Sequence, residues 1–598
     1  MPGSDPFLSH QRGRTRRTFL VDGAGVVAAG SVAGRIVSRR RSWWQPALDL
    51  TQPIGSQREA LRVLGRSRMR LPDSLPDPRL AAGTDTIPAI EHVVVLMLEN
   101  HSYDNFFGML GREPGQRPRG DGFVLAHDGL PAATNPYPDG RLQRAFRMPT
   151  TCQFDSIPSQ EWAASHNQYN NGANDGFVRT TITPATSQIV GPVAMGYWTG
   201  EDLPLTYALA SLFPIGDRWF ASCLAQTDPQ RRYLIAATSS GMTDDIGTSP
   251  GNIVPNATLG APANGTIFQR MSDAGITWAD YNASFPTGAT MELYPDNDAP
   301  YSTTNALPIS QFFTDAKAGT LPQFSLLDPE YGTQSQENAQ NISVGEGFIG
   351  QVIDALRTSP AWRKTVFILT YDEHGGYYDH VPPPVALAPD AIPPTVQPGE
   401  SMYDGFARYG FRVPSIVIGP YAKRSHVSHV VYDHTSILAF LERKWNLQAM
   451  TYRDANANDL TDFFDLAALS AGKPTFPEMP KLVPAGNTTA RLACSKTGPG
   501  KIPVPLPPQR LTLRSVSVSR RLRGLVVELQ TDRGTISGLE LDLYRGRRRV
   551  AHHSLASVAV TERQVVLRVR GREPARGRYT VVVRQGRKTL VRRAVSVR

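Results

Sequence analysis

The sequence has few cysteines and no long apolar run beyond its amino end, and both absences narrow the classes it can belong to. With only Cys152, Cys223 and Cys494 among 598 residues, a disulfide scaffold and a cysteine zinc cluster are excluded. At most one disulfide can form, and the pairing stays open. No run of about 20 apolar residues follows the first forty positions, which excludes an interior membrane span. Glycine and proline show no fixed period, so a collagen-like chain is excluded as well.

Positive charge is concentrated at the two ends of the chain. Residues 1–70 contain 13 arginines and 4 acids, and residues 505–598 contain 22 lysines and arginines and 6 acids. Because the net charge of the whole chain is only +10, the part between them is acidic. The two basic ends therefore need separate interpretations.

The amino end resembles a twin-arginine export signal. Arg16 and Arg17 stand directly before Thr18, Phe19 and Leu20, and a weakly apolar run follows. We interpret residues 1–41 as the signal region and residues 42–87 as a linker, which predicts a secreted or envelope-associated protein. The alternative is a basic tail beside a short apolar helix, and the cleavage site stays open.

The central part reads as a layered α/β domain. Continuous apolar runs at residues 90–98, 365–371 and 413–420 predict strands buried on both faces. Residues 345–358, where apolar side chains recur every four positions, predict a helix between two of them. Strands alternating with helices indicate a central, mostly parallel sheet.

Oxygen-bearing side chains follow two of the predicted strands. Glu99 and Asn100 come directly after the first, and Asp372 and Glu373 come after the second. Open α/β sheets place their ligands at the carboxyl ends of such strands. Carboxylate and amide oxygens without a thiolate suit Mg²⁺, Ca²⁺ or Mn²⁺, so we predict one divalent metal ion here. For any single acid, the alternative is a helix cap or a surface ion pair.

Seven segments carry a family resemblance. In order along residues 88–470, they resemble the bacterial phospholipase C and acid phosphatase family, which belongs to the alkaline-phosphatase-like superfamily. These segments are residues 99–104, 170–177, 195–198, 227–231, 371–384, 432–436 and 454–460. The resemblance implies an alkaline-phosphatase-like catalytic domain, which we bound at residues 88–480.

The resemblance also implies roles for individual residues. Glu99, Asn100, Asp372 and Glu373 would bind the metal ion, and Thr227, which precedes Asp-Pro, would be the nucleophile and also contact the metal. Its hydroxyl needs a metal or a base for activation, and attack on phosphorus would give a phospho-threonine intermediate that water resolves.

Four histidines and one acid occupy positions that would serve the phosphoryl group or the leaving group. His166, His374, His380 and His434 are candidates for these roles, and Asp379 is a candidate for orienting a neighbouring imidazole. A histidine can protonate a departing alkoxide because its ordinary pKa is close to neutral pH. The alternatives are a loop cap for Asp379 and simple structural hydrogen bonds for His166 and His380.

Two departures from the family pattern concern the substrate. Gln160 stands where family phospholipases often carry a histidine, and residues 335–339 lack a second expected histidine. A separate G-x-S-x-G match at residues 247–251 lies in a loop-like stretch. We interpret it as accidental, because serine hydrolases need a strand before and a helix after that motif.

The carboxyl end predicts a separate all-β domain. After a linker at residues 481–505, residues 506–598 alternate apolar and polar side chains, which is typical of an immunoglobulin-like sandwich. Its basic charge favours peripheral contact with an anionic membrane or cell envelope, and the alternative is an ordinary solvated face. No aromatic residues interleave the arginines, so nucleic acid is not expected.

Together these observations predict a secreted, metal-dependent phosphoesterase of the phospholipase C type that cleaves phosphatidylcholine-like phosphodiesters. The first alternative is an acid phosphatase that acts on phosphomonoesters. The second is a non-catalytic surface protein that binds lipid. Head-group preference, metal identity and oligomeric state stay open.

Overall fold

A computed structural model describes most of the chain from residue 54 onward. The predicted export signal and the G-x-S-x-G match lie outside the described residues. The described part is residues 54–598 without 155–157, 181–190, 246–261, 287–289, 295–299, 302, 339, 397–398, 481, 483–493, 495–499, 509, 520–523, 533–535, 559–562, 570–573, 587 and 598.

The described residues before position 481 contain twelve strands and eleven α-helices. The strands are β1 His92–Leu98, β2 Thr134–Pro136, β3 Leu142–Arg144, β4 Phe146–Arg147, β5 Gly196–Tyr197, β6 Ile215–Gly216, β7 Trp278–Asn282, β8 Ala306–Pro308, β9 Phe324–Asp328, β10 Thr365–Tyr371, β11 Ser415–Ile418 and β12 Val427–Ser428. The helices are α1 Ile54–Val63, α2 Tyr103–Phe107, α3 Trp162–Tyr169, α4 Pro204–Leu212, α5 Thr227–Ala236, α6 Ile267–Asp273, α7 Ile309–Ala318, α8 Ile342–Thr358, α9 Thr435–Trp445, α10 Tyr452–Asn456 and α11 Leu466–Ser470.

Eight of these strands form one mixed sheet in the order β12-β6-β11-β10-β1-β9-β7-β8. Strands β10, β1, β9, β7 and β8 are parallel neighbours, whereas β11 pairs antiparallel with both β10 and β6. All residues of β10 and all but the first of β1 are buried, as expected for strands covered on both faces. The predicted mostly parallel α/β sheet is confirmed.

Two helices explain how the sheet is covered. In α8, Phe348, Val352 and Leu356 lie on one buried stripe, and Asn341 caps the helix by accepting a hydrogen bond from the Ser343 N–H. Helix α9 has a mostly apolar sequence, and nearly all of its residues are buried. Among the described residues, no helix is both long and apolar enough to cross a membrane.

The carboxyl part is all β, as predicted. Strands β13 Leu511–Ser519, β14 Gly524–Thr531 and β17 Arg563–Arg568 form a three-stranded antiparallel sheet. A four-stranded antiparallel sheet has the order β16-β15-β18-β19, and its strands are β15 Ile536–Arg545, β16 Arg548–Val558, β18 Gly577–Gln585 and β19 Lys588–Val597. Residues of both sheets share one apolar core. The immunoglobulin-like topology stays a prediction.

One disulfide joins distant parts of the chain. Cys152 pairs with Cys494 across 342 positions, and Cys223 is buried as a free thiol. Burial raises the pKa of the Cys223 thiol to about 12, so it is not a reactive thiolate at neutral pH.

Candidate functional site

The predicted oxygen ligands meet at the carboxyl ends of β1 and β10. The two strands are parallel neighbours with Leu98 opposite Tyr371, so the residues that follow them are brought side by side. The Asn100 N–H donates to Asp372 Oδ1 at 2.9 Å. Gly375 allows this approach, because a Cβ there would lie 2.0 Å from the Asn100 carbonyl oxygen and its φ is +61°.

Thr227 reaches the same point from another element. It is the first residue of α5 and is only partly buried, so its hydroxyl is accessible. Its Oγ1 lies 3.0 Å from Glu99 Oε2 and 3.4 Å from Asn100 Oδ1. The N–H groups at the amino end of α5 favour an anion at this position. The structure therefore brings the predicted nucleophile and the predicted ligands together.

Arg231 also belongs to the site, although the sequence analysis did not single it out. It lies one helical turn after Thr227, is buried, and its guanidinium donates to Glu99 Oε1 at 2.7 Å and to Asp328 Oδ1 at 3.2 Å. The i, i+4 spacing from Thr227 was the available signal, because such residues share a helix face. Arg231 holds Glu99 in place through a charged hydrogen bond.

Three carboxyl groups are buried together, and each has a raised pKa. Burial, followed by the charge of Asp372, raises the pKa of Glu99 to about 8. Burial and then Glu373 raise the pKa of Asp372 to about 6, and burial raises the pKa of Glu373 well above its usual value. The arrangement therefore disfavours three negative charges unless a cation offsets them.

The donor atoms fit a divalent cation. Asp372 Oδ2 is buried and accepts no hydrogen bond from an N–H or hydroxyl group among the described residues, and the Asp372 and Glu99 carboxyl groups lie within hydrogen-bond reach of each other. One terminal atom of the Asn100 carboxamide lies 3.2 Å from Glu99 Oε2 and 2.8 Å from Glu373 Oε1. An amide N–H at that point would serve Glu99 and Glu373 but would not offset the charges of the adjacent buried carboxylates, whereas a cation would offset them. An all-oxygen set suits Mg²⁺, Ca²⁺ or Mn²⁺.

His374 and His434 border this cluster. His374 Nδ1 lies 2.9 Å from Glu373 Oε2, and burial lowers the pKa of His374 to about 3. His434 Nε2 lies 2.6 Å from the Asp372 carbonyl oxygen, which can only accept, so this nitrogen carries the proton. His434 Nδ1 has no hydrogen-bond partner among the described residues, and burial lowers the pKa of His434 to about 4. His434 is therefore neutral at neutral pH and cannot supply a proton to the leaving group.

His380 and Asp379 belong to a different cluster. His380 Nδ1 contacts Asp104 Oδ2 at 2.7 Å and its Nε2 contacts Asp121 Oδ1 at 3.3 Å. Asp104, Asp379 and His380 place ligand atoms within 4.8 Å of one another, a grouping able to hold a metal. However, Arg412 already donates to Asp379 at 2.9 and 3.0 Å and to Asp104 at 3.3 Å. We therefore interpret this cluster as an ion-pair network that joins the two ligand-bearing loops.

The remaining predicted histidine also lies away from the cluster. His166 Nδ1 donates to the Trp162 carbonyl oxygen at 2.8 Å, and its ring stacks on Tyr403 with centroids 4.0 Å apart. No contact joins it to the predicted metal ligands in the part of the chain that the structure describes. Burial lowers the pKa of His166 to about 4.

The two departures from the family pattern have structural counterparts. Gln160 Oε1 is buried without a hydrogen-bond partner among the described residues. In the segment without the second histidine, burial and then the charge of Glu99 raise the pKa of Glu337 to about 7. An acid thus stands near Glu99, within the segment where family relatives are expected to carry a basic side chain.

The His380 network predicts a pH-dependent stability. Burial alone would lower the pKa of His380, but the charge of Asp104 and the hydrogen bonds to Asp104 and Asp121 outweigh burial and Arg412, so the pKa is raised from 6.5 to about 9. The stabilisation is on the order of 3 kcal/mol; it is complete below about pH 6.5 and is lost as the pH rises through about 9. His380→Gln is expected to flatten the unfolding free energy over this window, while replacement of the exposed His127 leaves the profile unchanged. Urea titrations at several pH values measure both, and an unaltered profile in His380→Gln would contradict the assignment.

A hydroxyl held between carboxylate and amide oxygens at the ends of parallel strands defines the class of protein: a hydrolase that acts on phosphoester bonds. The chain belongs to the phosphoesterase family, whose sequence model matches residues 90–448. The family resemblance drawn from the motifs is confirmed.

Individual relatives agree with this family. The chain is 30% identical over 460 residues to phospholipase C B of Mycobacterium tuberculosis, covering 70% of this chain and 87% of the relative. It is 30% identical to the hemolytic phospholipase C of Pseudomonas aeruginosa, covering 64% and 57%, and 29% identical to the non-specific phospholipase C1 of Arabidopsis thaliana, covering 63% and 71%. A solved structure of a protein in the alkaline phosphatase superfamily from Vibrio parahaemolyticus matches at 13% identity and a TM-score of 0.26, covering 56% and 74%.

Proposed function

We propose that this protein is a secreted, metal-dependent phospholipase C that cleaves phosphatidylcholine-like phosphodiesters through a phospho-threonine intermediate. The observation that carries the proposal is the convergence of Thr227 Oγ1 with Glu99 and Asn100, where the Glu99 and Asp372 carboxyl groups are buried against each other. The names of the curated relatives support the diester substrate.

In the proposed reaction, Thr227 Oγ1 attacks phosphorus and the bond from phosphorus to the diacylglycerol oxygen breaks. The hydroxyl proton of Thr227 leaves towards Glu99 Oε2, which lies 3.0 Å from Oγ1, and the departing diacylglycerol oxygen takes up a proton from water. Water then hydrolyses the phospho-threonine, which releases the phosphorylated head group and restores Thr227. A cation held by Glu99, Asp372 and Glu373 would lower the pKa of the attacking hydroxyl and offset charge on the phosphoryl oxygens.

Two further observations support export and a lipid environment. The Cys152–Cys494 disulfide is typical of proteins that work in an oxidising compartment, in agreement with the twin arginines at positions 16 and 17. The basic carboxyl-terminal domain suits peripheral contact with an anionic membrane or envelope.

Metal removal tests the proposal. Hydrolysis of p-nitrophenyl phosphorylcholine is expected to exceed that of p-nitrophenyl phosphate. Chelation is expected to lower it by on the order of 10²-fold or more, because a bound cation supplies several kcal/mol of transition-state stabilisation. Separate addition of Ca²⁺, Mg²⁺, Mn²⁺ and Zn²⁺ then shows which ion restores turnover.

Asp372→Asn is expected to lower turnover as much as chelation does. Asp354→Asn, at an exposed position, serves as the matched control. Turnover that survives exhaustive chelation would overturn metal dependence. A faster monoester reaction would favour the acid phosphatase alternative.

A further inference from the structure

The four-stranded sheet of the carboxyl-terminal domain gathers arginines at one end. Arg545 and Arg548 are the last cross-strand pair of the β15–β16 hairpin. Strand β15 also pairs with β18, with Tyr544 opposite Thr580, so the start of β18 lies at the same end. The Arg545 side chain donates to the Arg576 carbonyl oxygen at 3.2 Å. We call this surface the arginine end, and its members are Arg545, Arg547, Arg548, Arg576 and Arg578.

These arginines have no carboxylate partner among the described residues, whereas other arginines on the same sheet do. All five are exposed, and none makes an ion pair with a carboxylate among the described residues. By contrast, the buried Asp542 on the outer face of the sheet accepts from Arg584 at 2.8 Å and from Arg549 at 3.3 Å, and it contacts His552 at 2.9 Å. Asp542 therefore offsets part of the positive charge on the outer face, whereas the five arginines at the end of the sheet have no carboxylate partner among the described residues.

This concentration of charge is unfavourable in the isolated domain. Like charges directly opposite each other in neighbouring strands destabilise a sheet, and Arg545 stands opposite Arg548. Charges closer than about 8–10 Å act together at physiological ionic strength, so neighbouring arginines at this end would attract a polyanionic surface together. The planar guanidinium group matches the oxygens of a phosphate with two parallel hydrogen bonds.

We propose that the arginine end binds anionic phospholipid head groups and holds the protein at a lipid surface. The choice of a lipid rests on the proposed function, because a phospholipase C finds its substrate in such a surface. A nucleic acid fits less well, since single strands need exposed aromatic rings for stacking. At this end Tyr579 is buried and Tyr544 is only half-exposed.

Vesicle sedimentation of the full chain tests the proposal. All proteins carry Thr227→Ala so that the lipid is not consumed, and phosphatidylcholine vesicles with and without phosphatidylglycerol are compared at low and high salt. The test variant replaces Arg547, Arg548, Arg576 and Arg578 with glutamine. The matched control replaces four exposed arginines that precede the carboxyl-terminal domain and make no ion pair among the described residues, and so removes the same charge: Arg58, Arg68, Arg117 and Arg363.

Each arginine near an anionic surface strengthens partitioning by about fivefold, so the test variant is expected to lose at least tenfold in binding to phosphatidylglycerol vesicles. The control variant is expected to bind these vesicles as the parent does, and high salt is expected to weaken vesicle binding by the parent. Equal losses in both variants, unchanged binding of the test variant, or tighter binding of double-stranded DNA than of lipid at equal phosphate would each overturn the proposal.

A second readout separates this proposal from the proposed function. With Thr227 intact, turnover of soluble p-nitrophenyl phosphorylcholine is expected to be the same in the parent and in the arginine variant. If neither the parent nor the arginine variant hydrolyses that substrate, the proposed function fails. The vesicle experiment would still show whether the arginine end binds anionic lipid.

Discussion

Replacement of Thr227 with alanine is expected to lower turnover by on the order of 10³-fold or more while the fold is kept. The reason is geometric: Thr227 Oγ1 is the accessible hydroxyl that contacts both Glu99 and Asn100 at the ends of the parallel strands. Alanine keeps the start of α5 and removes only this oxygen. Thr227→Ser keeps the hydroxyl and is expected to retain measurable turnover.

Turnover of p-nitrophenyl phosphorylcholine by the two variants measures this difference. Acid quenching of the parent protein during turnover, followed by mass spectrometry, is expected to find phosphate on the peptide that contains Thr227. Equal unfolding midpoints for the parent and both variants show that the fold is intact. If Thr227→Ala turns over substrate at the parental rate, this nucleophile assignment is wrong.

Replacement of Arg412 with methionine is expected to destabilise the catalytic part by about 3–5 kcal/mol. Arg412 and its partners Asp104 and Asp379 are all buried, and its guanidinium reaches both carboxylates. Methionine fills similar space but leaves two buried carboxyl groups without their cation. The substitution also removes a cation–π contact. The central carbon of the Arg412 guanidinium lies 4.4 Å from the centroid of the Tyr103 ring.

Tryptophan fluorescence during urea unfolding measures this effect, because no tryptophan lies in residues 506–598 and the signal therefore reports other parts of the chain. Arg357→Met is the matched control: its ion pair with Asp354 is exposed, so a change of about 0–1 kcal/mol is expected. Adding Asp379→Asn to Arg412→Met is expected to recover part of the loss by removing one orphaned charge. A shift in Arg412→Met no larger than in Arg357→Met would show that the network is not stabilising.

The sequence was sufficient to predict the ligand-bearing strand ends. The runs that became β1 and β10 are apolar throughout and end directly in oxygen-bearing side chains, and parallel neighbours bring such ends together. It was not sufficient to predict that β11 runs antiparallel to β10, because an apolar run carries no information about strand direction. Thr227 was found through the family resemblance alone, since a threonine before Asp-Pro is otherwise an ordinary turn residue.

The buried partners of the site could not be read from the sequence. Arg231 and Arg412 look like any exposed arginine until the fold places carboxylates beside them. A histidine likewise carries no sign of its partner: His374 and His434 border the cluster, whereas His166 and His380 bind groups elsewhere. The pairing of Cys152 with Cys494 depends on contacts across 342 positions, beyond the reach of any local pattern.

The same disulfide has a consequence for the proposed exported protein when it meets proteases. A protease that nicks the backbone anywhere between positions 152 and 494 produces two pieces that stay covalently joined through Cys152 and Cys494. The β-domain that follows Cys494 would therefore travel with the piece that carries Glu99, even after such damage. The disulfide thus keeps the candidate active site covalently attached to the carboxyl-terminal domain after such a cut.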